Sequence, residues 1–170
     1  SKWISGPLAR KLVHKWRAEE DAIMVGRQTA YQDNPKLTVR DWEGKNPIRV
    51  VIDRYGKLPD TLHLFDQQVP TLCYTLSRQE ELPNLQYIKL AEAHFWQDLL
   101  LDLYQRKVQS LFVEGGTVLF QQLLQQGFWD EARIFTAPKR FGTGIAAPQV
   151  QGELMSEQLI ADDRLSTLVN

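Results

Sequence analysis

SLFVEGGTVLFQQLLQQG, residues 110–127, changes its period halfway along. Ser110, Leu111, Phe112, Val113 and Glu114 form a short apolar run, of a length that suits a buried strand. Gly115 and Gly116 then offer backbone angles that no other residue reaches cheaply, and Thr117 is placed to cap. Val118, Leu119, Leu123 and Leu124 recur at helical spacing until Gly127 ends the run. The stretch predicts a strand, a glycine turn and a helix. Such a turn gathers unpaired N–H groups and the positive end of a helix dipole at a point free of side chains, which suits a phosphate or pyrophosphate. Glu114 is expected at the carboxyl end of a central strand, on the lip of that crevice.

The chain has 170 residues, 43% hydrophobic and 24% charged, enough for one globular domain with a proper core. Its formal net charge of −1 supplies no basic field for nucleic acid, so a bound phosphate has to be held locally. Cys73, the single cysteine, lies in the apolar run VPTLCYT and reads as a buried strand residue. One cysteine excludes an intrachain disulfide and a cysteine-based zinc site. His14, His63 and His94 lack metal-ligand spacing and read as surface or half-buried residues; no metal is expected. With no secretory signal and no run long enough for a bilayer, the expected setting is cytoplasmic, without a membrane partner. A chain beginning at Ser1 without Met reads as trimmed.

Working outward, Ser1 to Ile4 reads as the end of a strand or a loop, and Ser5-Gly6-Pro7 announces a helix with a serine cap and an early proline. Leu8, Leu12 and Trp16 are expected to form its apolar stripe. Asp21–Val25 is a short strand ended by Gly26, followed by a short polar helix or turn through Thr29 and turn chemistry at Asp33-Asn34-Pro35. Strands are expected over Arg49–Ile52, Val69–Thr75 and Leu85–Leu90, and a helix over Phe95–Arg106 with Trp96, Leu99, Leu100, Leu103 and Tyr104 inward. Glu131–Ala137 is another strand, Phe141–Gly144 a loop, and the tail from Gly152 holds only a short strand or two. Alternating strands and helices predict an α/β fold with a mainly parallel sheet and a binding crevice at the strands' carboxyl ends.

Several local motifs agree, in order, with one family. They are Ser1-Lys2-Trp3-Ile4-Ser5, Asp21-Ala22-Ile23-Met24-Val25-Gly26, Thr29 with the run from Asp33 to Arg40, Pro47 to Asp53, Val113-Glu114-Gly115-Gly116, and Ala137-Pro138 before Phe141-Gly142. Together they resemble the reductase domain of riboflavin biosynthesis, usually the C-terminal half of a bacterial bifunctional deaminase-reductase. The resemblance implies a dihydrofolate-reductase-like fold, a mixed, mostly parallel sheet flanked by helices, and a homodimer. It also implies NADPH-dependent reduction of the ribosyl group of 5-amino-6-(5-phosphoribosylamino)uracil to a ribityl chain.

By motif position the resemblance places Ser1, Arg17, Leu37, Arg40 and Glu114 against the substrate. It places Trp3, Thr29, Asp33 and the segment Gly116, Thr117, Val118, Leu119, Phe120, Gln121, Gln122 against NADPH. Two arginines on separate elements suit a ribose phosphate. Taken singly, Arg17 is a helix-end cation, Asp33 a turn residue, Thr29 a helix hydroxyl and Trp3 a core aromatic; only their joint order favours the functional reading. Ser77 and Arg78, after the 69–75 strand, are candidates for a 2′-phosphate, with a polar surface loop as the equal alternative. No side chain stands out as a catalytic proton donor. The family's opening strand with its lysine-bearing loop, its closing strand and the zinc signature of the deaminase half are not in this sequence. One reductase domain over 1–170 is therefore expected, lacking the first strand and possibly the last, with a deaminase domain preceding it in the native chain. Two other functions compete: a reductase of a pterin-like heterocycle, against which Arg17 and Arg40 argue, and a truncated, inactive dinucleotide-binding or dimerisation module.

Overall fold

Strands β1 (Ala22–Gly26), β2 (Ile48–Ile52) and β3 (Thr71–Thr75) are buried at almost every position. Successive side chains on a strand point to opposite faces, so a strand buried throughout must be covered on both. In the computed structural model, which describes residues 4–140 and 142–170, these strands lie at the middle of a six-stranded sheet. Its other members are β4 (Glu80–Leu82), β5 (Leu85–Lys89) and β6 (Leu111–Val113), in the order β4-β5-β3-β2-β1-β6. Every pairing is parallel except that of β4 with β5. The mixed, mostly parallel sheet expected from the sequence is therefore present.

Register shows how the two faces are filled. Val25, Val51, Cys73 and Tyr87 fall in line across the sheet and join Ile23, Ala30, Leu37, Leu64 and Phe65 in one core cluster. Met24, Val50 and Leu72 form the row that points the other way. That face also carries Tyr74, whose hydroxyl donates to Asp102 Oδ2 at 2.6 Å on α3 (Phe95–Gln105), a helix that buries Phe95, Trp96, Leu99 and Leu103. Cys73 is fully enclosed, and burial above all pushes its thiol up to about 12.

Arg49 stands in the Ile23–Arg49–Thr71–Leu85 row with no exposed surface. Its guanidinium donates to Thr71 Oγ1 (2.8 Å), His63 O (2.8 Å), Asp66 Oδ1 (2.8 Å) and Val69 O (2.9 Å), so the charge is both paired and hydrogen-bonded. Burial raises the Asp66 carboxyl, but the bonds from Arg49 and the Gln68 N–H outweigh it and hold it below the usual 3.8.

The chain divides by contacts into two compact units, one of which is His14–Gly116 and contains this sheet. The other combines the described residues before His14 with those from Thr117 onward. It contains α4 (Thr117–Gln125) and the strands β7 (Glu131–Thr136), β8 (Glu153–Ile160) and β9 (Asp163–Val169), an antiparallel sheet ordered β7-β9-β8. Gly127, at φ +69°, ends α4, with its N–H donating to Leu124 O and that of Phe128 to Leu123 O. This paired closure is what makes a glycine at that position stop a helix. Helix α1 (Pro7–Glu19) begins in this unit, where buried Asp163 accepts the Gly6 N–H at 2.6 Å, and ends in the other.

Four expectations change. The tail's two strands are eight and seven residues long, because each finds its pairing in the other rather than in an apolar pattern of its own. Strand β6, read as central, ends the order of its sheet. On α1 the buried positions are Ala9, His14 and Trp16, while Leu8 is 56% exposed; on α3 Tyr104 is 72% exposed. Helical spacing gives the period of a stripe but not its phase when neighbouring positions are also apolar. The short antiparallel β4, polar and exposed, carries no apolar signal. Among the described residues no helix is long and apolar enough to cross a membrane.

Replacing Arg49 by Met should cost about 3 kcal/mol or more, because Asp66 and two carbonyls lose their buried donor. Urea denaturation measures this. Since the folded Asp66 value is depressed, the pair's contribution is present above pH 3.8 and is lost as pH falls through the folded value, and the variant should lose that acid dependence.

Candidate functional site

Strands β1 and β6 lie side by side and parallel, with Met24 opposite Val113, so both deliver their carboxyl ends to the same edge. The chain leaves β1 at Gly26 into α2 (Arg27–Asp33) and leaves β6 at Glu114, whose N–H donates to Met24 O at 2.8 Å. Glu114 is thereby fixed at the end of both strands. Arg17, in the last turn of α1, meets it side-on, Nε to Oε1 and Nη2 to Oε2, each at 2.7 Å. The side chains keep 11% and 22% of their exposure, so the pair is only partly withdrawn from water. The remaining Arg17 nitrogen donates to Thr38 O at 3.2 Å.

Beyond Glu114 the backbone turns through Gly115 at φ +105° and Gly116 at φ +75°, angles that side chains disfavour. Thr29 of α2 stands directly against this turn. A Cβ built on Gly115 would meet Thr29 Cγ2 at 2.8 Å and Oγ1 at 2.9 Å, and one on Gly116 would meet Oγ1 at 3.2 Å. The first glycine is thus required by both conformation and space.

The next segment is shaped by two left-handed residues. Asn34 (φ 40°) ends α2 with its N–H on Ala30 O, and Leu37 (φ 52°) turns the chain again. Leu37 is 2% exposed and belongs to the core cluster, so its side chain is spent on packing. The following residues are pinned by backbone bonds: Asn46 Oδ1 accepts the Val39 N–H (2.8 Å) and His14 Nδ1 accepts the Arg40 N–H (3.1 Å). Among the described residues the exposed Arg40 guanidinium enters no ion pair. Asp33 is exposed at the end of α2.

The structure thus brings Arg17, Thr29 and Glu114 together with the Gly115-Gly116 turn, and holds the Leu37–Arg40 segment to α1. Ser77 and Arg78 follow β3, separated from β1 by β2, and both are already engaged. Ser77 Oγ shares a hydrogen bond with Thr75 Oγ1 at 2.8 Å. Arg78 reaches Asp60 (3.4 Å) and Glu80 (3.5 Å), and its guanidinium lies 3.3 Å from the Tyr87 ring centroid. Thr117, expected to cap, is the first residue of α4; in the same unit Leu119 is buried, Phe120 half-buried, and Val118, Gln121 and Gln122 exposed. Ser1 and Trp3 lie outside the described residues.

One residue was missed. His14, read as surface or half-buried, is 2% exposed. Burial, then Arg17, and more weakly Arg40, lower its pKa, against the opposite pull of Asp41 and Glu114. Its place one helical turn before Arg17 was the available signal.

A double-mutant cycle on Arg17→Ala and Glu114→Ala should return a coupling of about 1–3 kcal/mol in urea denaturation, above an exposed pair and below a fully buried one. A coupling near zero would mean that the bidentate contact is not formed in solution.

The chain matches the family model described as the RibD C-terminal domain over residues 1–168. It is 36% identical over 160 residues to riboflavin biosynthesis protein RibD of Chlamydia pneumoniae, covering 84% of this chain and 42% of that protein. It is 34% identical over 155 residues to a 2,5-diamino-6-ribosylamino-4(3H)-pyrimidinone 5′-phosphate reductase of Aquifex aeolicus, covering 85% and 69% of the two chains. The chain thus spans less than half of the length of the first of these relatives. Among solved structures it resembles a Thermotoga maritima diaminohydroxyphosphoribosylaminopyrimidine deaminase/5-amino-6-(5-phosphoribosylamino)uracil reductase, with a TM-score of 0.86 and 29% identity, covering 99% of this chain and 50% of that one. The fold is accordingly the dihydrofolate-reductase-like one that the sequence motifs implied.

Proposed function

The chain belongs to the family of RibD C-terminal domains, and from that membership we propose that it reduces the ribosyl group of 5-amino-6-(5-phosphoribosylamino)uracil to a ribityl chain with NADPH, as a step of riboflavin synthesis. The observation that carries this reading is the placement of Glu114, oriented by Arg17, beside a glycine turn that Thr29 closes.

The turn fits a dinucleotide. Gly115 and Gly116 present backbone without side chains at angles that other residues disfavour, with Thr29 packed against the turn, and N–H groups of such a turn are suited to a group that accepts hydrogen bonds. Thr29, Asp33 and Gly116 are the proposed cofactor contacts. NADPH, when bound, supplies the hydride. Arg40 is the proposed ligand of the substrate's phosphate, since its guanidinium is exposed and enters no ion pair among the described residues. Arg17 acts through Glu114, holding its carboxylate so that the outward lone pairs meet the sugar hydroxyls or the amino-uracil. The chain's part in the chemistry is to orient, with the proton drawn from solvent. A homodimer, a preceding deaminase domain, a cytoplasmic setting and a role for Ser77 and Arg78 in choosing NADPH over NADH belong to the same proposal.

NADPH oxidation, followed with and without the phosphorylated substrate and beside a cofactor titration, tests it. Substrate-dependent oxidation is expected. Cofactor binding without oxidation would favour a binding module, and oxidation with an unphosphorylated heterocycle a pterin-type reductase. Arg40→Ala should cost about 2 kcal/mol of substrate affinity and leave NADPH affinity unchanged. Gly116→Val should do the reverse, collapsing cofactor binding in a folded protein. Arg78→Ala should erode the preference for NADPH over NADH; an intact preference places the 2′-phosphate elsewhere.

A further inference from the structure

We propose that His14 is a positioning residue for the substrate: by accepting the Arg40 N–H it fixes the backbone from which the phosphate-binding guanidinium extends. The inference rests on the assignment of Arg40 to the phosphate. Three side chains hold the 37–40 segment. Arg17 bonds the Thr38 carbonyl and Asn46 the Val39 N–H; the His14 bond comes last and sets the Arg40 backbone itself. A side chain only 2% exposed has no water to fall back on, so this bond has to be made by the protein. A nitrogen that accepts carries no proton. Nδ1 is therefore the bare nitrogen and the ring proton sits on Nε2, which faces Asp41 Oδ2 at 3.9 Å.

Protonation would undo the arrangement in two ways. Nδ1 would become a donor pointing at another donor, and a third cation would stand beside Arg17 and Arg40. Asp41 and Glu114 are the carboxylates that oppose it, and burial with the two arginines outweighs them, so the neutral ring persists below the ordinary 6.5. The sign follows. Neutral His14 holds Arg40 above that lowered value, and the hold is released as pH falls through it. Substrate affinity, not cofactor affinity, should carry this acid limb.

The test compares wild type, His14→Leu, His14→Asn and Arg40→Ala by substrate KM and NADPH Kd between about pH 5 and 8. Asn retains an acceptor near the Nδ1 position but does not titrate. His14→Leu is expected to raise KM on the order of tenfold at pH 8 with NADPH Kd unchanged, the loss of one hydrogen bond to a positioned backbone. His14→Asn should restore most of the affinity and flatten the acid rise of KM seen in wild type. The Arg40 amide resonance of wild type should shift with the same titration. A wild-type KM in His14→Leu, beside a raised KM in Arg40→Ala, overturns the positioning role. An unchanged KM in Arg40→Ala instead removes the phosphate assignment and the inference with it. Should His14→Leu fail to fold, an acid rise of KM in His14→Asn equal to that of wild type overturns the inference alone.

Discussion

The bidentate contact between Arg17 and Glu114 is the constraint on which the site depends. It joins the end of a helix to the end of a strand, so neither can shift without misaligning two charge-assisted bonds. Glu114 is already tied by its own N–H to β1, and Arg17 by its third nitrogen to Thr38. A carboxylate at a strand end would otherwise sample several rotamers. Here it has one. The orientation of the site is therefore inherited from the register of β1 and β6 rather than from a flexible loop.

That register is secured deeper in the molecule. The parallel strands carry apolar residues on both faces, and each face has its own cover: the cluster containing Leu37, Leu64 and Phe65 on one, α3 on the other. Arg49 is the exception within the first face, a charge placed where a leucine would be expected. All three of its nitrogens donate, in four bonds, and they gather β2, β3 and the chain between them, including the short helical turn at His63–Phe65. Leu37 links this core to the site. Its side chain packs in the cluster while its left-handed backbone redirects the chain toward Arg40.

The parallel strands were legible because their signal is local: Val50, Val51 and Ile52 are β-branched, and Gly26 and Pro47 mark the ends. The glycine turn was legible for the same reason, since Gly115 and Gly116 have no common use that does not involve unusual angles or close approach. The family motifs supplied what local chemistry could not, a reason to consider Thr29, Arg40 and Glu114 together. Pairwise facts stayed hidden. Nothing in Arg17 or Glu114 alone announces that they bind each other 97 residues apart, and nothing in ELMSEQLI announces a strand of eight residues rather than a short one until DRLSTLV lies beside it. His14 was misread because a buried histidine and a surface one look alike until the acceptor's partner, a backbone N–H, is in place.

Cys73 lies at the centre of the β3 strand, its thiol enclosed and its ionisation pushed up to about 12. A thiol that stays protonated and enclosed is a poor nucleophile, so thiol-directed reagents find nothing to attack while the sheet is closed. Since the chain has no other cysteine, the thiol chemistry of the whole molecule is a clock for one event, the separation of β3 from its neighbours. Anything that tightens the β1 end of the sheet without touching β3 would slow that clock only through the strand pairing that connects them, which makes a reagent as simple as iodoacetamide a gauge of how far a bound ligand's grip is felt.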